Sequence, residues 1–217
     1  MEELVKRVDS IKLDKEIIIV DGCSDDGSRE WLENAKIENI KKIFHDKCYG
    51  KGMAIRSGIK MATGDIVIIQ DADLEYDPNE YYALIKPIQE GKADVVYGSR
   101  ILGSRKNLKG KHSIAYYEYY YGGRLLTIVT NLLYNAKITD ESTCYKVFKT
   151  EILKNMNLKC TRFEFCPEVT AKVIKKGYKI FEVPIKYNPR TLQEGKKIRF
   201  KDGLEAVWTL IKYRFVD

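Results

Sequence analysis

Asp71 and Asp73 stand one residue apart, directly after the apolar run Val67-Ile68-Ile69 and Gln70. The run contains neither Pro nor Gly and reads as a buried strand. Two carboxylates where a strand leaves its sheet offer hard oxygen ligands, and Mg²⁺ typically takes one or two carboxylates plus substrate phosphates. The same text also describes a strand ending in a solvated Asp turn, so the neighbouring segments have to decide.

Two further segments carry suitable chemistry. Asp21-Gly22-Cys23-Ser24-Asp25-Asp26-Gly27-Ser28 follows the apolar run Ile17 to Val20. Its short polar residues and glycines permit tight turns that expose side-chain oxygens and backbone N–H groups. The carboxyl end of a parallel strand is where α/β folds bind ligands, and Asp21 is placed to accept hydrogen bonds from a base or ribose. Gly50, Lys51, Gly52, Arg56 and Gly58 make a third segment. A helix starting near Gly52 would turn N–H groups and a cation toward a pyrophosphate. Taken alone, the second segment is also a plain strand-to-helix turn capped by Ser. The third is also a solvated basic helix face.

These segments need elements to position them. Strands are predicted at Glu16 to Val20, Lys41 to His45, Asp65 to Gln70, Asp94 to Gly98, Cys144 to Thr150 and Lys179 to Tyr187, the last with Pro184 at a sheet edge. Helices are predicted at Ser28 to Lys36, capped by Ser24 or Ser28, and at Gly50 to Thr63, closed by Gly64. Another should run from Pro78 toward Ile88, ended or kinked at Pro87. Lys111 to Lys137 reads as a long helix interrupted at Gly122-Gly123. Glu151 to Asn155, Phe165 to Lys176 and Gly203 to Arg214 complete the helices. Alternating strands and helices argue a mostly parallel sheet flanked by helices, in one domain spanning 1–217.

Composition narrows the classes. The 217 residues are 44% hydrophobic and 32% charged, which favours a folded globular chain over disorder. No apolar run has the length of a membrane span, and the first residues are polar, so a cytoplasmic protein is expected, in part at the cytoplasmic membrane face. The net charge of +7 suits anionic partners such as nucleotide or lipid phosphate. No nucleic-acid-binding module is recognisable. The five cysteines are odd in number and lack a C-x-x-C, so reduced thiols are expected. The Tyr-rich segment Tyr116 to Tyr121 and the closing helix, with Trp208, Leu210, Ile211 and Phe215, would suit either a packed face or a membrane interface.

Seven stretches, in order, resemble the family 2 glycosyltransferases of the GT-A fold, in particular the polyprenyl-phosphate (dolichyl-phosphate) sugar synthases. They are Val20-Asp21-Gly22-x-Ser24-x-Asp26-Gly27-Ser28, Gly50-Lys51-Gly52-x-Ala54-x-Arg56-x-Gly58 and Gln70-Asp71-Ala72-Asp73-Leu74-Glu75-Tyr76-Asp77-Pro78. Val96 to Arg100, Thr139 to Lys146, Phe163 to Glu168 and Pro189-Arg190 to Lys197 follow. The resemblance implies a UDP- or GDP-linked sugar donor whose diphosphate is held by Mg²⁺ or Mn²⁺ at Asp71, Asp73 and Glu75, the third position often being Gln in relatives. Asp21, Ser24 and Asp26 would contact the nucleotide, and Lys51 and Arg56 would order the phosphates. Arg190, Lys196 and Lys197 would close a loop over donor or acceptor phosphate.

The implied reaction is inverting transfer of the sugar to a lipid phosphate, whose oxygen is already ionised near neutral pH. A hydroxyl acceptor would instead need a base, and Asp140 and Glu168 are the candidates. The family usually opens with an additional strand bearing an Ile-Pro-x-Tyr-Asn-Glu type motif, and this chain has no such text. A GT-A sheet with its N-terminal βα unit missing is therefore expected, leaving an exposed sheet edge. The alternatives are a family 2 enzyme using a saccharide or other soluble acceptor, a nucleotidyltransferase with a similar acidic pair, and a nucleotide-sugar-binding protein without catalysis.

Overall fold

The computed structural model describes all residues except Glu38, 105–113, 191–199 and Asp217, and the side chains of 114–119 and Phe200 are also undescribed. Lys196 and Lys197, the basic residues Arg105 to Lys111 and most of the Tyr-rich segment therefore lie outside the described residues.

Helix α1 (Glu2–Ser10) leads into β1 (Ile17–Asp21), α2 (Ser28–Asn34), β2 (Ile40–Phe44), α3 (Lys51–Met61) and β3 (Ile66–Ile68). A 3₁₀ turn (Pro78–Glu80) opens α4 (Tyr81–Gln89), followed by β4 (Val95–Ser99), α5 (Arg100–Ser104) and α6 (Ile114–Tyr134). Then come β5 (Lys146–Lys149), α7 (Thr150–Lys154), α8 (Phe165–Lys175), β6 (Ile180–Pro184) and α9 (Phe200–Phe215).

The strands form two sheets, β1-β2 and β3-β5-β4-β6. β1 and β2 are parallel, as are β4 and β6, whereas β5 runs against both β3 and β4. Every strand of the larger sheet except β5 thus points one way. β4 is wholly buried, and its Val95, Val96 and Tyr97 pack with Leu84, Ile85 and Ile88 of α4 and with Phe165, Val169 and Val173 of α8. β6 is an edge strand ending at Pro184, where a missing N–H costs no ladder bond.

The exposed edge anticipated from the sequence lies between β1 and β3. Asp21 accepts from His45 N–H on the β2 side, so Ile18 and Val20 turn their backbone groups away from β2. Ile69 N–H and the Asp65 carbonyl bond toward β5, so Ile66 and Ile68 turn away from β5. Both strands are half-buried; of Val67-Ile68-Ile69, predicted as a buried run, only Ile69 is buried. Two things tie the sheets together. Helix α3 packs on β1, with Gly58 facing Ile18 and Val20, and sends Ile59 into the main core. Glu16, just before β1, accepts from Thr63 N–H (2.5 Å) and Gly64 N–H (2.9 Å), just before β3, and pairs with Lys41 (2.5 Å).

Burial by itself would raise the proton affinity of Glu16, but Lys41 and the two N–H donors outweigh it and hold the pKa at about 2. A depressed pKa stabilises the fold above the ordinary carboxylate range and loses that contribution as pH falls through the folded value. Glu16→Gln should therefore cost about 1 kcal/mol near pH 7, an amount limited by solvent screening, and progressively less as pH falls through about 4 toward 2. Urea midpoints of both proteins across that range check it.

Four local expectations are corrected. Helix α2 starts behind Gly27 (φ 83°) with no side-chain cap, and Asp26 instead accepts from Ser28 N–H at 3.0 Å. Helix α3 ends at Met61, before Gly64, because Ala62 is already extended. Pro87 sits inside α4 without ending it. It lies one turn from the helix end, so one hydrogen bond is lost, and it packs with Leu84, Ile85 and Ile88 on the buried face. Gly122-Gly123 does not interrupt α6; a Cβ at Gly123 would come 2.9 Å from Ser142 Oγ, so the bare backbone permits that approach.

Candidate active site

The acidic segment leaves β3 and turns sharply. Leu74 adopts φ 61°, a region that a branched side chain enters at a cost of about 1–3 kcal/mol. Asp73 Oδ1 accepts from Glu75 N–H (3.1 Å), closing the turn. The turn sets the neighbouring carboxylates against different cations. Asp71 Oδ2 pairs with Lys51 Nζ at 2.6 Å, and Asp73 Oδ2 with Arg190 at 2.9 Å. Lys51 is the first residue of α3, and Arg190 follows β6, so three separate elements meet here.

The electrostatics describe a crowded anionic site. Burial and then the Asp71 carboxylate raise the pKa of Asp73, and Arg190 only partly offsets them. Burial opposes the Lys51 charge, yet Asp71 holds that ammonium well above its ordinary range. Arg190 Nε is buried without a hydrogen-bond partner, although its guanidinium lies 3.6 Å from Glu75.

Glu75, expected as a third metal ligand, is held in this structure by the segment that follows β6. Its carboxylate accepts from Arg190 N–H (2.9 Å) and Tyr187 Oη (3.0 Å), and its carbonyl accepts from Asn188 N–H (3.0 Å). Glu75 is 8% exposed and braces the segment that carries Arg190. Among the described residues no three His, Cys, Asp or Glu side chains converge as a metal site. Asp71 and Asp73 nevertheless fit a divalent ion: both present hard oxygen donors, and the strain of Asp71 on Asp73 is what a cation would relieve.

The other predicted residues divide. Asp21 is 2% exposed, and its carboxylate accepts from Cys23 N–H (3.2 Å) and Ser24 N–H (3.2 Å) and pairs with Arg29 (3.4 Å). It shapes the turn that presents Ser24 and Asp26. Arg56 donates to the carbonyls of Lys159 (3.4 Å) and Cys160 (3.3 Å). It anchors the loop against which the α3 N-terminus rests. A Cβ on Gly52 would meet the Arg162 carbonyl at 2.9 Å, and Gly52 N–H donates to that same oxygen at 2.9 Å. This close approach fixes Lys51 in place.

The two candidate bases are ion-paired. Asp140 is clamped by both arms of Arg100, at 2.7 Å each, and by Arg100 N–H at 2.9 Å. Burial would raise its pKa, but Arg100 outweighs burial and lowers it. Glu168 accepts from Lys159 N–H (2.7 Å), Cys160 N–H (2.6 Å) and Lys172 Nζ (2.6 Å), and its pKa too is lowered against burial. In each case the paired cation favours the charged carboxylate and lowers its proton affinity. Tyr187 and Arg100 emerge as positioning groups, the latter with its guanidinium 5.1 Å from the Tyr187 ring centre. Gln70 Oε1, taking Tyr81 Oη (2.9 Å) and Tyr145 Oη (2.7 Å), steadies the start of the acidic turn. An Arg just after a strand was visible in the sequence; its partner was not.

A mixed sheet thus carries an acidic turn at the end of β3. The description "Glycosyl transferase family 2" matches residues 1–156, and the chain belongs to that family. It is 28% identical over 202 residues to the low-salt glycan biosynthesis hexosyltransferase Agl6 of Haloferax volcanii, covering 93% of this chain and 46% of that protein. It is also 28% identical over 201 residues to a dolichol-phosphate mannosyltransferase of Pyrococcus furiosus, covering 90% and 55% respectively. The chain spans about half the length of these two relatives. In fold it is similar to glucosyl-3-phosphoglycerate synthase of Mycobacterium tuberculosis solved with UDP (TM-score 0.71, 14% identity, 100% of this chain and 76% of that one). The same synthase solved with Mn²⁺, UDP and phosphoglyceric acid gives a TM-score of 0.70 at 15% identity, covering 100% and 74%. The fold is GT-A.

Proposed function

We propose that this chain binds a nucleoside-diphosphate sugar at the ends of β1 and β3 and transfers the sugar, with inversion, to a polyprenyl phosphate. The observation that carries the reading is the acidic turn itself: Asp71 and Asp73 at the strand end, each facing a cation from a different element. A divalent ion, Mg²⁺ or Mn²⁺, bound by Asp71 and Asp73 would neutralise the diphosphate as it leaves. Lys51 and Arg190, released from the carboxylates, would then bind phosphate oxygens and stabilise the developing charge. Glu75 and Tyr187 would hold the Arg190 backbone for that contact. The turn after Asp21 would present Ser24 and Asp26 toward the nucleoside.

A lipid phosphate is favoured over a hydroxyl acceptor because Asp140 and Glu168 are already committed to Arg100 and Lys172. A phosphate monoester brings an ionised oxygen and needs little help from a base. The names of two relatives, a hexosyltransferase and a dolichol-phosphate mannosyltransferase, agree with such a substrate pair. A cytoplasmic location at the membrane face belongs to the same reading.

The test is a screen of radiolabelled UDP- and GDP-sugars with polyprenyl phosphate and Mn²⁺ or Mg²⁺. Organic-extractable label that disappears with chelator is the expected result. Label transferred only to a water-soluble acceptor would replace the lipid reading, and absence of transfer together with absence of nucleotide-dependent thermal stabilisation would overturn the donor site.

A further inference from the structure

The loop between α6 and β5 buries three polar side chains: Glu141, Thr143 and Lys146 are each 0% exposed. Lys146 stands opposite Tyr97 in the β4–β5 register, and its Nζ lies 3.8 Å from the centre of the Tyr97 ring. The same Nζ donates to the Glu141 carbonyl at 2.5 Å. Two main-chain groups of the loop are also bonded: Glu141 N–H donates to Thr127 Oγ1 (3.1 Å), and the Cys166 thiol donates to the Thr143 carbonyl (3.7 Å). Lys146 is the cation that acts most strongly on the Glu141 carboxylate and on the Cys166 thiol beside Thr143, which places all of them in one compartment. Among the described residues, however, both carboxylate oxygens of Glu141 and Thr143 Oγ1 are buried without a hydrogen-bond partner. The Thr170 hydroxyl lies toward Glu141 but is engaged by Tyr97 Oη at 2.9 Å. A buried polar atom left without a partner costs about 1–3 kcal/mol, and a cluster of them marks a place where something else binds.

Charge and hydrogen-bond capacity select the occupant. Burial pushes the Glu141 pKa up, and Lys146 opposes it. Protonation would remove the charge, but it adds a hydroxyl donor that needs an acceptor and leaves Lys146 without a counter-charge. A second cation would be repelled by the buried Lys146 ammonium. A water molecule can accept from Lys146 and donate to both Glu141 and Thr143, and buried waters typically make about three such bonds. We propose that Glu141, Thr143 and Lys146 form a binding site for an internal water molecule, which bridges the Lys146 ammonium to the Glu141 carboxylate and takes Thr143 Oγ1 as its third partner.

The bridge closes the loop on itself. Glu141 follows Asp140, which Arg100 holds, and Lys146 follows Tyr145, whose Oη donates to Gln70. The water joins these two anchored ends, and it gives a fully buried cation a counter-charge where it otherwise meets a carbonyl and a ring. The inference stands independently of sugar transfer, because water binding and melting temperature are read without any substrate.

The experiment is a crystal structure of the chain with ordered waters refined, joined to magnetic relaxation dispersion of water oxygen in solution. The wild-type chain should show a water within hydrogen-bond distance of Glu141, Thr143 and Lys146. Its long-lived water signal should fall by one molecule when Glu141→Leu is combined with Lys146→Met. Well-ordered side chains with no density between them would overturn the proposal, as would an anomalous peak at the site in crystals grown from rubidium salt. Stability is the second readout. Glu141→Leu alone should lower the melting temperature by about 5–10 °C, because Lys146 loses its bridged counter-charge, and adding Lys146→Met should recover most of the loss. Thr143→Val should lower it by about 2–4 °C, whereas Thr143→Ser should keep both the water and the melting temperature. A higher melting temperature for Glu141→Leu would also overturn the bridge, since an apolar replacement relieves a carboxyl that is dry and unpartnered.

Discussion

Asp73→Asn should lower sugar transfer by about 10²–10³-fold while leaving the fold intact. The side chain is 18% exposed, and burial together with Asp71 already disfavours its charge. A neutral isostere removes an anion that the protein tolerates at a cost, so thermal stability should hold or rise slightly. What is lost is a hard oxygen donor, and with it the balance that keeps Asp71 on Lys51 and Asp73 on Arg190 until a donor arrives. Titration of Mn²⁺ and nucleotide against thermal stability separates the effects: the variant should melt near the wild-type temperature yet show little ligand-dependent shift. Normal turnover by Asp73→Asn would remove the acidic turn from the chemistry.

The second large effect is on stability. Arg100→Met should cost about 3–5 kcal/mol, because it strands the buried Asp140 carboxylate without its cation. Asp140 is 3% exposed and takes three hydrogen bonds from Arg100. Changing both residues to apolar ones, Arg100→Met with Asp140→Leu, should recover much of the loss, as buried ion pairs often tolerate hydrophobic replacement. Urea denaturation of the single and double variants measures this directly. A base role for Asp140 predicts something else, namely a fall in kcat for Asp140→Asn at unchanged stability.

Much of the architecture was legible along the chain. Strand-length apolar runs alternating with helical patterns announce an α/β fold, and a carboxylate pair at a strand end is a local signal. Glu168 and Lys172, four apart on a helix, form a pair that spacing alone allows. The pairings of Asp140 with Arg100 and of Glu75 with Arg190 join residues 40 and 115 positions apart. Nothing in the periodicity of either partner encodes them. That is why the contacts that hold Asp140 and Glu75 were not legible in the sequence. Gly122-Gly123 misled because a cost of about 1 kcal/mol per glycine is small against a helix of 21 residues. The closing helix was readable as amphipathic, but that Leu210 turns inward while Trp208 and Phe215 stay exposed became plain only from its packing on α6 and α8.

The division between β1-β2 and the larger sheet bears on how binding would fail. The turn after Asp21 hangs on one sheet and the acidic turn on the other, and their cohesion rests mainly on α3 and the Glu16 tether. Regions with fewer buried contacts open at lower free energy than the global transition. The smaller unit should thus exchange its amide protons sooner than β4 and β5, and mild denaturant should erase nucleotide affinity while the hydrophobic centre around Tyr97 and Phe148 is still protected.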